Sequence, residues 1–241
     1  MPLPDADVQR VLVVAAHPDD IDFGAAGTIA TFIDAGLEVT YLLCTYGDQG
    51  GFDDTPRDQM PAIREAEQRA AAAAVGVRDV RFLQGYRDGW LEPGFDLQRD
   101  IVRVIRDVRP ERMLIQSPER NWARIQASHS DHMAAGEASI RAIYPAARNP
   151  HAWPELITDE DLQPWSVAEV WLMAHAGSSH YVDITDTFGR KTAALRAHVS
   201  QTGHLGDELE TMLRDWGTRL ATEAGWPQGR LAESFTIVPT A

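Results

Sequence analysis

The sequence predicts an α/β protein with a doubly wound, Rossmann-like, mostly parallel sheet and a helical C-terminal elaboration. Short β-branched or apolar runs alternate with longer helical patterns, which is typical of parallel strands joined by crossover helices. A chain of 241 residues with 44% hydrophobic content is also long and apolar enough to bury a full core. We therefore interpret residues 1–241 as one domain.

Five apolar runs have the length and composition of buried strands. The predicted strands are residues 11–15, 39–44, 80–83, 112–116 and 167–173. A later strand is predicted in "SSHYVDIT", around His180 and Asp183. Ligands of parallel sheets collect outside the carboxyl ends of the strands. The loops that follow the first four strands should therefore form one rim.

Helical periodicity fills the segments between these strands. The predicted helices are residues 26–35, 62–75 and 97–108, followed near the C-terminus by residues 187–201 and 205–224. The third helix is expected to end before Arg109 and Pro110, because a residue that precedes proline disfavours the helical conformation. The Pro- and acid-rich segment 149–164 is predicted to be a surface excursion.

Composition and charge argue against nucleic acid as a partner. The chain has 22 Lys and Arg residues against 36 Asp and Glu residues, a net charge of −14 that repels phosphate backbones. The N-terminal "MPLPDADVQR" places acids before only six apolar residues, so we expect neither a signal peptide nor a membrane span. The single cysteine, Cys44, fits a reducing compartment. We expect a cytoplasmic protein, and a homo-oligomer is compatible with the sequence.

The segment "AHPDDID" follows the first predicted strand and concentrates negative charge. Asp19, Asp20 and Asp22 lie within four positions, and carboxylates that close raise one another's pKa unless a cation holds them. His17 and Asp20 can aim a ring nitrogen and a carboxylate oxygen at one point. The motif indicates a cation site, although a hydrogen-bonded histidine followed by helix-capping acids is an open alternative.

A second cluster, "SHSDH", follows the fourth predicted strand. His129 and His132 are three positions apart and can face the same side of a turn, while Asp131 can hold a ring N–H. Since both clusters follow parallel strands, we expect them on the same rim. Two histidines, one carboxylate and an open fourth position make up the ligand count of a hydrolytic zinc site. A helix cap at Ser130 or Asp131 with two exposed histidines is the alternative.

The motifs "AHPDD", "GTIA", "GDQGG" and "SHSDH", in this order, resemble those of the zinc-dependent PIG-L/LmbE-like N-deacetylases. The resemblance covers essentially the whole chain. It implies that His17, Asp20 and His132 bind the metal and that Asp19 is the general base. It further implies that His129 stabilises the oxyanion or protonates the leaving amine. Zinc is the implied ion, with Fe²⁺ or another divalent ion as an alternative.

The same resemblance implies a substrate and further site residues. The implied activity removes the acetyl group from an N-acetylglucosamine-like small molecule or conjugate. Arg64 and Asp88 fall where the family contacts the sugar, and "HVSQ" is similar to a C-terminal signature of the family. Asp22 and Asp131 are expected to support the metal-binding residues rather than bind the ion. Ser130 stands where proline is common, which affects the stiffness of the loop more than its chemistry.

Three alternatives stay open at this point. The substrate can be another N-acyl compound or a thiol-conjugate amide. Two histidines and a carboxylate also describe non-haem iron oxygenases, which favour H-x-D spacing on all-β jelly rolls. A Rossmann-like module that binds sugars or nucleotides without catalysis would need neither metal nor general base.

Overall fold

A seven-stranded sheet forms the centre of the computed structural model, which describes residues 2–51 and 54–240. The strands are β1 (Arg10–Ala15), β2 (Glu38–Leu43), β3 (Asp79–Phe82), β4 (Arg112–Gln116), β5 (Glu169–Met173), β6 (His180–Asp183) and β7 (Ala232–Pro239). Their order across the sheet is β3-β2-β1-β4-β5-β7-β6. The first five strands are parallel, whereas β7 runs antiparallel to β5 and β6. The predicted doubly wound, mostly parallel sheet is confirmed.

Helices cover both faces of the sheet. They are α1 (Asp20–Asp34), α2 (Met60–Val75), α3 (Phe95–Val108), α4 (Ser130–Arg141), α5 (Glu155–Thr158), α6 (Phe188–Ala197), α7 (Val199–Thr202) and α8 (Glu208–Glu223). Helices α1, α2 and α6 pack together over one face, and α3 and α4 pack over the other. Helix α8 packs on β7 and α6 and forms the predicted C-terminal elaboration. Among the described helices, none combines the length and apolar character that a membrane span requires.

Strand β1 shows why the sequence has uninterrupted apolar runs. Val11 and Val13 belong to the hydrophobic core under α1 and α2, whereas Leu12 and Val14 belong to the core under α3 and α4. A parallel strand that is buried on both faces needs apolar residues at every position rather than at alternate ones.

The predicted elements are present with small shifts in their ends, apart from three differences. Helix α1 begins at Asp20 rather than at residue 26, because the acidic motif itself forms the first helical turn. The helix predicted over residues 187–201 is interrupted at His198, whose φ of −82° and ψ of 61° are not helical. Strand β7 was not predicted. The α/β sheet excludes the all-β jelly roll on which the oxygenase alternative depended.

The chain reverses its direction across the sheet between β1 and β4. It runs from β1 to β2 and β3 on one side, then returns to β4 on the other side of β1. Such a switch point opens a crevice at the carboxyl ends of the two strands. Helix α4 comes close to this crevice, because a Cβ at Gly136 would clash with the carbonyl oxygen of Gln116 and lie 2.9 Å from the nitrogen of Pro118. The two predicted motifs flank this crevice.

Candidate active site

The turn that leaves β1 folds back on itself. The N–H of Ala16 donates to Oε1 of Gln116 at the end of β4 (2.9 Å), which ties the two sides of the crevice together. The carboxylate of Asp20 then accepts the N–H of His17 (2.8 Å). The same Oδ2 lies 3.2 Å from Nδ1 of His17. The turn therefore holds the first imidazole and the carboxylate side by side.

The second motif meets this pair across the crevice. Oδ1 of Asp20 lies 3.0 Å from Nε2 of His132, so one carboxylate faces a ring nitrogen from each motif. The ring centroids of His17 and His132 are 5.3 Å apart. His129 joins them, and ring nitrogens of the three histidines lie within 4.8 Å of one another. The structure thus brings together the residues that were predicted to share a rim.

The opposite nitrogen of His17 has its own carboxylate partners. Its Nε2 lies 3.2 Å from Oδ2 of Asp131 and 3.0 Å from Oδ1 of Asp88. Histidines that bind metals almost always donate their other ring N–H to a carboxylate or carbonyl, which fixes the ligating nitrogen. In His17 this leaves Nδ1 as the ligating nitrogen, beside Asp20. Two imidazoles and a carboxylate in this arrangement fit a divalent ion.

The charges of the cluster support that fit. Burial alone would raise the pKa of Asp20, but the charge of His132 and hydrogen bonds from His132 and His17 lower it far below its ordinary value. Burial likewise opposes the charged form of His132, yet Asp20 raises its pKa. Positive charge at the point where the two rings converge therefore stabilises the ionised carboxylate of Asp20. A divalent cation supplies the same positive charge.

Asp19 occupies an unusual backbone conformation. Its φ is 88° and its ψ is −30°, a region that costs a residue other than glycine about 1–3 kcal/mol. Asp19 precedes the first residue of α1, and its carbonyl oxygen accepts the N–H groups of Asp22 and Phe23 (both 2.9 Å). Its side chain makes no capping hydrogen bond to the helix. The carboxylate is therefore available for chemistry.

The proton affinity of Asp19 suits acid–base chemistry. Burial and the negative charge of Asp20 raise its pKa to about 7, against the opposing charges of His198, His17 and Arg64. A group with a pKa close to the operating pH can both accept and return a proton. The pKa values of two adjacent carboxylates of identical chemistry are thus shifted in opposite directions.

His129 caps helix α4 through its ring. Its Nδ1 accepts the N–H of Asp131 (3.2 Å), so the cap lies at His129 rather than at Ser130 or Asp131, the positions considered from the sequence. Burial and the charges of His17 and His132 lower the pKa of His129. A neutral ring that accepts at Nδ1 carries its proton at Nε2. His129 is therefore a neutral hydrogen-bond donor at this site.

Asp131 is fully buried and holds two segments together. Its carboxylate accepts the N–H groups of Gly89 (2.7 Å) and Leu91 (3.3 Å) in addition to facing His17. It thus supports the histidine of the first motif. That pairing crosses 114 residues, and the sequence alone did not identify it.

Arg64 and Asp88 lie at the edge of the site, where they hold the loop after β2. Arg64 is buried and donates to the carbonyl oxygen of Gly47. Gly47 has a φ of 66°, and a Cβ there would clash with the Arg64 guanidinium. Asp88 faces His17 with one oxygen and accepts the N–H of Gln49 (2.8 Å) with the other. Their contact with a sugar stays a prediction.

Asp22 points away from the crevice into the protein. Its Oδ2 accepts hydrogen bonds from Nε2 of Gln68 (2.8 Å) and Nε2 of His198 (2.9 Å). Gln68 also accepts the N–H of Asp19 (3.0 Å) and was not predicted as a site residue. The resemblance of "HVSQ" to a family signature was the one sequence signal for His198.

A cavity of about 430 Å³ lies beside the site. Its walls come from the loop that leads from β4 to His129, from the segment between β5 and β6, and from α1, α6, α8 and β7. Its lining residues include Phe23, Arg124, Ser178, Lys191, Trp216 and Glu233. None of the clustered histidines or aspartates lines it. The cavity therefore shares α1 and the loop before His129 with the site but does not contain the reactive groups.

The fold and this cluster define an α/β protein with a candidate metal-binding hydrolytic centre at the switch point of its sheet. The chain matches the model of the PIG-L family, GlcNAc-PI de-N-acetylase, over residues 12–143. The protein belongs to this family.

Named relatives match 81% to 98% of the chain. It is 33% identical to a diacetylchitobiose deacetylase of Thermococcus kodakarensis, over 98% of this chain and 85% of the relative. It is 30% identical to the 1D-myo-inositol 2-acetamido-2-deoxy-α-D-glucopyranoside deacetylase of Rhodococcus erythropolis, over 81% of this chain and 82% of the relative. The structure superposes on inhibitor-bound N,N'-diacetylchitobiose deacetylase from Pyrococcus horikoshii with a TM-score of 0.87 and 29% identity, covering 98% of this chain and 86% of that one.

Proposed function

We propose that this protein is a metal-dependent hydrolase that removes the N-acetyl group from an N-acetylglucosamine-like small molecule or conjugate. The observation that carries the proposal is the Asp20 carboxylate shared between His17 and His132, beside an Asp19 whose pKa is about 7. The relatives named above support it, because all three are named as deacetylases and their names describe acetylated amino sugars. We also propose a single domain that acts in the cytoplasm.

Nδ1 of His17, the carboxylate of Asp20 and Nε2 of His132 would hold the ion, for which we propose zinc. When bound, such an ion lowers the pKa of water from about 15.7 to about 7 and polarises a carbonyl group. Asp131 would keep His17 in the required tautomer by accepting its Nε2–H. Fe²⁺ or another divalent ion is compatible with the same ligands.

Asp19 would act as the general base. Its carboxylate accepts a proton from the water that attacks the amide carbonyl, which creates a tetrahedral carbon. Because its pKa is about 7, the protonated Asp19 can then give that proton to the departing amine. The neutral ring of His129 donates its Nε2–H to the oxygen that becomes negatively charged.

We expect His129→Ala to keep its metal and to lose about 10²- to 10³-fold in kcat, the scale of one lost oxyanion donor. Metal analysis and steady-state kinetics on the same preparation test this expectation. A rise in KM with an unchanged kcat would limit His129 to substrate binding. Loss of the metal would make it a ligand, which its distance from the other two rings also allows.

We further propose that the group attached to the sugar extends into the adjoining cavity. Arg124 stacks on the indole of Trp216 there (4.7 Å to the ring centroid) and makes no ion pair among the described residues. We expect Arg124→Ala to raise KM about 10-fold for conjugates that carry a carboxylate or phosphate, and to leave methyl N-acetylglucosaminide unaffected. Arg214→Ala is the matched control, since Arg214 lies on α8 outside the cavity lining and pairs with Glu210. Equal KM changes for charged and neutral substrates would contradict the proposal.

The function itself is tested by measuring acetate and free amine released from a panel of N-acetylated glucosaminides. Chelator treatment should abolish the release, and added zinc should restore it. Release of a longer acid but no acetate would favour the alternative of another N-acyl substrate. A metal-free protein that binds the panel and never releases acid would favour the non-catalytic module.

A further inference from the structure

Three buried polar side chains form a connected cluster behind Asp19. Asp22 lies on α1, Gln68 on α2 and His198 at the junction of α6 and α7. Each of the three is 0% exposed. We call this set the buried clamp. It connects three separate parts of the chain directly behind the proposed general base.

The orientation of the Gln68 amide is fixed by its two neighbours. The backbone N–H of Asp19 can only donate, so it selects Oε1 (3.0 Å). The oxygen of Asp22 that faces Gln68 accepts a hydrogen bond, so it selects Nε2 (2.8 Å). His198 completes the arrangement by donating its Nε2–H to the same carboxylate oxygen (2.9 Å). The amide of Gln68 therefore holds the Asp19 backbone. Gln68 is in turn held by Asp22, whose carboxylate is also bound by His198.

The held residue is the one with the strained backbone. Aspartate at this position of a helix ordinarily has an extended backbone, and its side chain accepts N–H groups of the first turn. Asp19 has a φ of 88° instead and makes no such hydrogen bond. Strained conformations persist only where the surroundings enforce them. Gln201 adds a second hold on the turn by donating to the carbonyl oxygen of Pro18 (3.1 Å).

We infer that Gln68, held by Asp22 and His198, is a positioning residue that keeps Asp19 in its positive-φ conformation and prevents its carboxylate from capping α1. Without the amide, the backbone of Asp19 is free to return to the extended region, where the carboxylate turns to the helix N–H groups. The inference rests on the proposed function, because it takes Asp19 for the general base. It gives the HVSQ segment a role in catalysis without contact with substrate.

The first test replaces Gln68 with alanine. We expect kcat to fall about 10- to 100-fold while KM stays within about twofold and one metal ion per chain is retained, because only the base is misplaced. Glu65→Ala is the matched control. Glu65 lies on α2 three residues before Gln68, and its carboxylate accepts hydrogen bonds from Arg69 (3.0 and 2.8 Å) and, among the described residues, from neither Asp19 nor the HVSQ segment. The kcat of this variant should stay within about twofold of that of the natural protein.

The second test exchanges donor and acceptor within the clamp. Gln68→Glu keeps an oxygen for the Asp19 N–H but sets two carboxylates against each other. Asp22→Asn can place its NH2 group where the shared oxygen lies, donating one N–H to the new carboxylate at position 68 and the other to Nε2 of His198, which then carries its proton on Nδ1. Gln68→Glu alone should lose activity, and the double variant should recover to within about fivefold of the natural protein. An inert packing role would produce no such recovery.

Crystal structures give a measurement that does not depend on activity. Asp19 should leave the positive-φ region in Gln68→Ala and should return to it in the double variant. The inference is overturned if Gln68→Ala keeps its kcat, if Glu65→Ala loses as much, or if the double variant is no better than Gln68→Glu. Should Gln68→Ala not fold, the exchange decides alone. Absence of acetate release from the natural protein would instead refute the proposed function, and the φ of Asp19 would still test the clamp.

Discussion

An Asp20→Asn protein is expected to hold far less than one divalent ion per chain after dialysis. The substitution replaces an anionic ligand by a neutral amide and leaves two imidazoles, one on each side of the crevice. Loss of a single supporting residue near a metal typically weakens affinity about 10- to 100-fold, so loss of a ligand should exceed that range. Excess zinc should restore part of the activity by mass action.

The measurement is metal content by mass spectrometry, together with the zinc concentration that gives half-maximal activity. His132→Ala should lose most of its metal affinity in the same way, because it also removes a proposed ligand. Asp131→Asn should cause a smaller loss, since it changes the partner of His17 and not a ligand. A full metal equivalent in His132→Ala after dialysis against a weak chelator would remove His132 from the ligand set.

The sequence predicted the sheet well because its strands are buried on both faces. An apolar run such as residues 11–15 is stable as a strand that is buried on both faces of a parallel sheet. The alternation of such runs with helical patterns then indicates a parallel sheet with crossover helices. Strand β7 was missed because Glu233 interrupts its apolar pattern. That side chain is buried against Lys191, 42 residues away, and accepts the N–H of Thr28. A partner so distant in sequence is not visible before the chain folds.

The candidate site likewise combines features that the sequence predicted with contacts between distant residues that it did not. The histidines and aspartates of both motifs were predicted to share one rim, because rim positions follow from strand ends. Asp131, which supports His17, comes from the other motif, and Gln68, which holds the backbone of Asp19, comes from α2. Nothing in the local sequence marks Gln68 as a site residue, because a single glutamine is common in a polar helical pattern. Long-range hydrogen bonds of this kind require the coordinates.

Among the proposed variants, Asp19→Asn is expected to lower kcat the most while leaving the metal content of the protein unchanged. The amide has the shape of the carboxylate but cannot accept a proton, so kcat should fall about 10²- to 10⁴-fold, equivalent to about 3 to 5 kcal/mol of barrier. Metal content should stay at one ion per chain, since Asp19 is not among the proposed ligands. The natural protein should also lose activity as pH falls below about 7, where Asp19 becomes protonated.

The raised pKa of Asp19 has a consequence for stability that can be measured on chelator-treated protein. The folded state disfavours the ionised form, so the contribution of Asp19 to stability is present at acidic pH and is lost as pH rises through about 7. Asparagine does not ionise. Asp19→Asn should therefore have a higher Tm than the natural protein at pH 8 and a nearly equal Tm at pH 4. An identical difference at both pH values would mean that ionisation of Asp19 is not the cause.

Measured side by side, the Asp19→Asn and Asp20→Asn variants decide which of two adjacent carboxylates does which task. Both substitutions are isosteric and both replace an acidic group by a neutral amide, so a general effect of charge would lower metal content in both proteins. The assignment requires a difference: Asp19→Asn keeps its ion and gains nothing from excess zinc, whereas Asp20→Asn loses its ion and is partly rescued. The environments of the two residues predict this direction, because Asp20 faces two ring nitrogens and Asp19 makes no capping hydrogen bond. If Asp19→Asn loses the metal and Asp20→Asn retains it, the two roles are reversed.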